Sequence, residues 1–101
     1  MTSLHYEFFA VPYRYSSSQE MGGWTMVSLP KELSVEMREN FKWREEGWGR
    51  MKVTARLGDS EWETAVWFDT KQETYLLPIK ANIRKKQGVV PGEEVKVTIL
   101  L

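Results

Sequence analysis

The sequence predicts a mainly β domain: six strands, mostly antiparallel, curled into a small barrel, closed or split, with two short capping helices. Three observations carry that expectation. Two neighbouring stretches, "RMKVTARL" and "SEWETAVWF", alternate apolar and polar residues with period two and are joined by Gly58-Asp59, which reads as a hairpin. The last stretch, "EVKVTILL", repeats the alternation. A Leu-Pro pair also closes an apolar run twice, at Leu29-Pro30 and Leu77-Pro78, each time ahead of a helical pattern. One domain over residues 1–101 fits the length, because a chain of this size buries only roughly 60–70% of its unfolded surface.

The segment "HYEFFAVPYRY", His5 to Tyr15, is rich enough in aromatics for a first strand. Pro12 within it calls for an edge, a bulge or a bend. "SSSQEMGG" reads as a loop, and Trp24 to Leu29 as the second strand. Pro30 suits a first helical turn, where no N–H is needed. Leu33, Met37 and Phe41 then recur at i, i+4 and i+8 as one buried stripe, and Gly47 is the expected C-terminal cap.

In the hairpin, Met51, Val53, Ala55 and Leu57 form one inward set, and Trp62, Thr64, Val66 and Phe68 the other. Pairing Leu57 with Ser60 opposes Arg56 to Glu61, Ala55 to Trp62, Val53 to Thr64 and Arg50 to Trp67. Each pair then shares a face. A four-residue loop keeps the same parity, so two registers stay open. "ETYLLP" is the fifth strand; Ile79 and Ile83 supply the buried side of the second helix, which Gly88 ends. Pro91-Gly92 centres a turn, and Val95, Val97, Ile99 and Leu101 face inward along the sixth strand. A proline cannot donate to a ladder, yet its fixed φ pre-sets a helical turn. The two Leu-Pro units therefore imply a rough pseudo-twofold, with Pro30 and Pro78 in matching places and each helix closing one end of the barrel.

Composition excludes several classes of function. Lys plus Arg equal Asp plus Glu at 14 each, so there is no long-range pull on a polyanion, and nucleic acid is disfavoured as a partner. Cysteine is absent, which removes disulfides, thiolate metal sites and a cysteine nucleophile. His5 is the one histidine and makes neither a metal site nor a triad. "MGGW" lacks the spacing of a phosphate loop. No apolar run approaches the ~20 residues of a membrane span, and "MTSLHYEFFAV" lacks the pattern of a secretion signal. No catalytic residue, metal or cofactor is therefore expected. The expected location is cytoplasmic, away from membranes, as a monomer or homodimer.

The order of motifs resembles a bacterial family, the domain of unknown function numbered nineteen hundred and five. Trp24, Val27, Leu29 and Pro30 match first, then the hairpin "VTARLGDSEWETAV". The strongest match is "YLLPIKANIRKKQGVVPGEEVKV", with Tyr75, Leu77-Pro78, Ile83-Arg84-Lys85, Gly88, Gly92, Val95 and Val97. The resemblance covers nearly the whole chain. It implies a small β-barrel, found alone or fused to a bacteriocin-protection-type domain, with no assigned reaction or ligand. The chain departs from the pattern at "FDTKQETY", where relatives carry a glycine-rich turn.

Candidate sites are few. Lys80, Arg84 and Lys85 gather on the second helix with Lys86, Lys80 and Arg84 sharing a face at i, i+4. They either contact an anion or stand as solvated cations at the negative end of the helix dipole. Arg84 has a further structural reading, a fork tying the helix to Glu93 or Glu94 of the "PGEE" turn. Trp43, Trp48 and Trp67 fall outside the cleanest buried stripes. They cover helix and barrel ends, or they line a binding surface. Tyr13 and Tyr15 form a second aromatic candidate. Glu61 and Glu63 share a strand face, but Arg56, Lys52 and Thr54 opposite make ion pairing simpler than acid–base catalysis.

The expected function is a non-enzymatic binding or accessory module contacting a partner protein or small ligand through the barrel end or the aromatic surface. Two alternatives stand beside it: anion or nucleic-acid binding through the helix Lys80–Lys86, and an enzyme whose pocket the sequence does not display.

Overall fold

A computed structural model describes residues 5–15, 24–47 and 49–101. Its strands are β1 (His5–Ala10), β2 (Tyr13–Tyr15), β3 (Trp24–Ser28), β4 (Arg50–Leu57), β5 (Ser60–Asp69), β6 (Thr74–Pro78) and β7 (Val95–Leu100). Two helices, α1 (Lys31–Phe41) and α2 (Ala81–Gln87), complete the main elements. The seven strands make one curled sheet in the order β1-β7-β4-β5-β6-β3-β2, antiparallel at every pairing.

Seven strands replace the expected six because Val11-Pro12 cuts the first segment in two. A proline nitrogen has no hydrogen for a ladder, so pairing stops there and changes partner. Before the cut, Phe8 stands opposite Val97 of β7. After it, Tyr13 stands opposite Met26 of β3. Both edges of the sheet are thus taken by halves of one bent segment, which draws the layer round on itself. Pro12 is itself fully buried, and its carbonyl accepts a 2.9 Å hydrogen bond from Gly92 N.

The β4–β5 hairpin adopts the two-residue turn, with Leu57 opposite Ser60 and Arg50 opposite Trp67. Gly58 takes φ +62 while Asp59 stays negative, as expected of a turn with its glycine at the first central position. The odd-numbered set Met51, Val53, Ala55 and Leu57 is buried throughout. It packs with Trp62, Val66, Tyr75, Leu77, Val97 and Ile99 as one core. Met37 of α1 and Ile83 of α2 join that core, while Leu33 and Phe41 pack half-buried against it. α1 also buries Ser34, which the apolar stripe did not mark; its Oγ accepts from Tyr75 N at 3.0 Å and satisfies a strand donor under the helix.

Two expectations about helix boundaries are corrected. α1 stops at Phe41 and tightens into a 3-10 turn over Lys42–Arg44, so Gly47 does not cap it. Gly47 instead lies in a small turn closed by paired Glu46 and Arg50 backbones. The pseudo-twofold exists, but two residues away from where the prolines put it. β3 and β6 pair about Val27 opposite Leu77, flanked by equivalent 2.9 Å bonds, Leu29 N to Tyr75 O and Ile79 N to Thr25 O. The residue matching Pro30 is therefore Lys80, not Pro78. Both are helix N-caps with nearly equal backbones, φ −54, ψ 145 and φ −63, ψ 150. The junction needs an extended cap whose carbonyl accepts the first helical bond, and Ser34 N to Pro30 O and Arg84 N to Lys80 O supply it equally at 2.9 Å. Pro78 instead ends the β6 ladder, a position where a missing donor is tolerated.

Gly88 ends α2 in a left-handed conformation, φ 63, as the sequence predicts. Among the described residues no helix is long and apolar enough to cross a membrane.

Candidate functional site

The outward faces of β4 and β5 carry the cross-strand pairs Arg50–Trp67, Lys52–Ala65 and Thr54–Glu63. Leu100 of β7 lies beside Thr54. Over this strip the 3-10 turn brings Arg44, and the N-cap of α2 brings Lys80. Together they line an open groove of about 560 Å³. Four cations, Arg44, Arg50, Lys52 and Lys80, face it with one side-chain carboxylate, Glu63.

Little neutralises these cations internally. Arg50 reaches Glu46 at 3.5 Å, with both side chains well exposed, a pairing that binds weakly in water. Among the described residues, Arg44, Lys52, Lys80 and Glu63 take part in no ion pair. Two indoles accompany the arginines. Trp67 is 37% exposed, and the Arg50 guanidinium lies 5.8 Å from its ring centre. Trp43 is 79% exposed, with Arg44 at 5.9 Å. Its Nε1 donates to Asn40 O at 3.0 Å, so the ring is tethered although it is in solvent.

The structure brings together only part of the set expected from sequence. Trp67 and Lys80 line the groove; Trp43 does not, but its ring lies 5.9 Å from the guanidinium of Arg44, which does. Trp48 and the side chain of Tyr15 lie outside the described residues. Tyr13 is half-buried and bonded to Ser28 Oγ at 2.9 Å, away from the groove lining. Arg84 and Lys85 do not line it either. The fork from Arg84 to Glu93 or Glu94 does not form: Arg84 Nε is buried without a hydrogen bond, and both glutamates are exposed. Lys86 instead acts on Asp59, whose carboxyl is held below its usual range first by a Gln87 hydrogen bond and then by that charge. Glu61 is paired with Arg56 at 2.9 Å, as expected.

Arg44, Arg50 and Lys52 were missed as site residues. Arg50 and Lys52 had a signal, their outward parity beside Trp67. Nothing in chain spacing could place Arg44 and Lys80 over the same strip, because that depends on where two helices end.

A second polar cluster is more enclosed. The Tyr75 hydroxyl donates to Glu45 Oε2 at 2.5 Å, and Arg38 Nε pairs with the same oxygen at 3.4 Å. The Arg38 guanidinium covers Phe68 at 4.0 Å, and Phe68 meets Tyr75 edge-on at 5.1 Å. Burial first, then the Glu45 hydrogen bond, pushes the Tyr75 hydroxyl well above its usual range. Each member touches another, although Arg38 Nε makes no hydrogen bond, and the cluster works as a strut joining α1, the residue after the 3-10 turn, β5 and β6.

Among the described residues no group of three or more His, Cys, Asp or Glu is placed to hold a metal. The model of one protein family, described as a domain of unknown function (DUF1905), matches residues 10–99. No curated protein matches the chain.

Proposed function

The chain belongs to the DUF1905 family, and from that premise we propose that it is a non-enzymatic binding module whose ligand is an anion seated in the outer groove. The family carries no activity with it, so the reading rests on the site. One observation supports it above the rest: Arg44, Arg50, Lys52 and Lys80, from three separate elements, converge on one open groove against a single side-chain carboxylate. A volume of about 560 Å³ falls within the range of small-ligand sites, roughly 300–1,000 Å³. Like charges gathered on a fixed scaffold repel one another, and an anion relieves that repulsion. This reading joins the two expected sites, the aromatic surface and the anion site, and moves the second from the α2 face to the sheet.

Calorimetric titration with tripolyphosphate at low salt tests it. Lys52→Glu and Lys80→Glu should abolish the heat, while Lys85→Glu, a cation of α2 outside the groove, should leave it. Loss in Lys85→Glu with retention in Lys52→Glu refutes the groove and returns the site to the helix.

A further inference from the structure

We propose that the anion this groove takes is a nucleotide unit, a phosphate joined to a flat base, either free or within a single strand; the inference rests on the anionic-ligand reading above. Cations alone would serve a simple inorganic anion, and the groove holds more than cations. An arginine–tryptophan pair occurs twice at its margin, Arg50 with Trp67 and Arg44 with Trp43. Both arginines line the groove. Trp43 is presented to solvent on a short tether to Asn40 O, which fixes a flat apolar face where solvent would otherwise favour a polar side chain.

Alternating positive charge and aromatic faces match a phosphate followed by a base, since every base can stack whatever its sequence and the backbone follows the cations. The sheet strip supplies Thr54 and Glu63 as its outward hydroxyl and carboxylate, too sparse a set to read the hydroxyl pattern of a sugar. The balance of 14 cations against 14 anions, which disfavours nucleic acid from the sequence, bears on long-range steering. Contact binding depends on the local set, here four cations to one side-chain carboxylate.

Fluorescence anisotropy with a labelled oligouridylate, competed by ATP, tripolyphosphate and a heparin-type oligosaccharide, tests the proposal on the intact chain. Each phosphate contact should contribute about −0.7 to the slope of log affinity on log salt. Four contacts give about −2.8, and a rise from 50 to 200 mM salt should then weaken binding by about 50-fold. Lys52→Ala should flatten the slope by about 0.7. Trp43→Leu and Trp67→Leu should weaken oligouridylate and ATP by roughly 5- to 150-fold, the range for a lost base stack, and leave tripolyphosphate unaffected. Trp43 is so exposed that its variant tests binding rather than folding, and a thermal melt checks this.

A strand that outcompetes ATP identifies a strand site; equal affinity identifies a free-nucleotide site, and both support the proposal. If tripolyphosphate equals ATP, or if the tryptophan variants change nothing, the nucleotide fails and the anion reading survives. A heparin-type ligand that beats both and needs Trp67 overturns the nucleotide in favour of an acidic glycan. If no probe binds, both readings fail.

Discussion

Gly58→Ala should destabilise the protein by about 2–3 kcal/mol, and the reason can be separated into two parts by a second substitution. Gly58 holds φ +62, a conformation that costs an L-residue with a side chain about 1–2 kcal/mol. A Cβ built there would meet Gln87 Oε1 at 2.1 Å and Cδ at 2.8 Å. The Gln87 side chain can swing away, but it then releases its 2.8 Å bond to Ser60 Oγ. That bond is part-buried and contributes about 0.5–1.5 kcal/mol. Gln87 also touches the Asp59 carboxylate, which is fully exposed and screened by water. In a Gln87→Ala background the clash and the bond are already gone, so Gly58→Ala should cost only the backbone part, about 1–2 kcal/mol. The coupling between the two sites is then about 1 kcal/mol. Urea denaturation followed by circular dichroism measures all four proteins of the cycle. A thermal shift of about 10–20 °C should accompany the single glycine variant, at 4–8 °C per kcal/mol for a domain near this size. An unchanged cost in the Gln87→Ala background would refute the contact between hairpin and helix. A cost below about 0.5 kcal/mol would refute the left-handed turn itself.

Lys80→Pro should fold with a stability change under about 1 kcal/mol, because Lys80 already holds φ −63 in the place that Pro30 occupies by symmetry, yet it should weaken tripolyphosphate binding; a variant that fails to fold disproves the matched junctions. Tyr75→Phe removes a group whose hydroxyl ionises less readily in the fold than in the open chain. Wild-type stability should therefore hold below pH ~10, the ordinary tyrosine value, and fall above it, because the unfolded chain loses that proton first. Tyr6, also raised by burial, contributes equally to both proteins, so the wild-type-minus-variant difference from denaturation at pH 8 to 11.5 isolates Tyr75, and a flat difference contradicts the assignment. Glu73→Asn should stabilise by about 0.5–1 kcal/mol, since Glu73 sits at φ 58 and Asn accepts that region more readily. Its 3.0 Å pair with Lys31 is well exposed and adds little; a loss equal to that of Lys31→Ala would show that the pair outweighs the strain.

How much the chain displays locally decides what could be read from it. The β4–β5 hairpin and its faces were legible, because alternation, a short Gly-Asp turn and a one-sided core agree in parity, but parity alone left two loop lengths open and the structure takes the shorter. Gly88 was legible for a similar reason, as a single residue type suited to one backbone state. The end of α1 was not, because Phe41 and Lys42 continue a helical pattern while tertiary packing tightens the turn. Pro30 and Pro78 look equivalent in sequence, but pairing about Val27 and Leu77 matches Pro30 to Lys80, and no local pattern encodes which residues face each other across a long loop. Ser34 escaped notice because its burial follows from an orphan donor on a distant strand, not from an apolar stripe. The groove was half-legible: parity put Arg50, Lys52 and Trp67 on one face, while Arg44 and Lys80 arrive by helix ends whose positions only the curled sheet determines. At "FDTKQETY" Glu73 holds a left-handed position without a glycine.

The bent first segment sets the order in which the molecule can be finished. His5 pairs with Leu100, so the β1–β7 ladder cannot zip until the whole of the fold between those two strands has been made. β2 can cover β3 at once, as its near neighbour in the chain, but β7 presents a bare rim until β1 docks, and a chain in that state is open to stray pairing with its neighbours. Tethering β1 to β7 through a linker long enough to span them should speed that docking step, and should do so without altering the finished architecture.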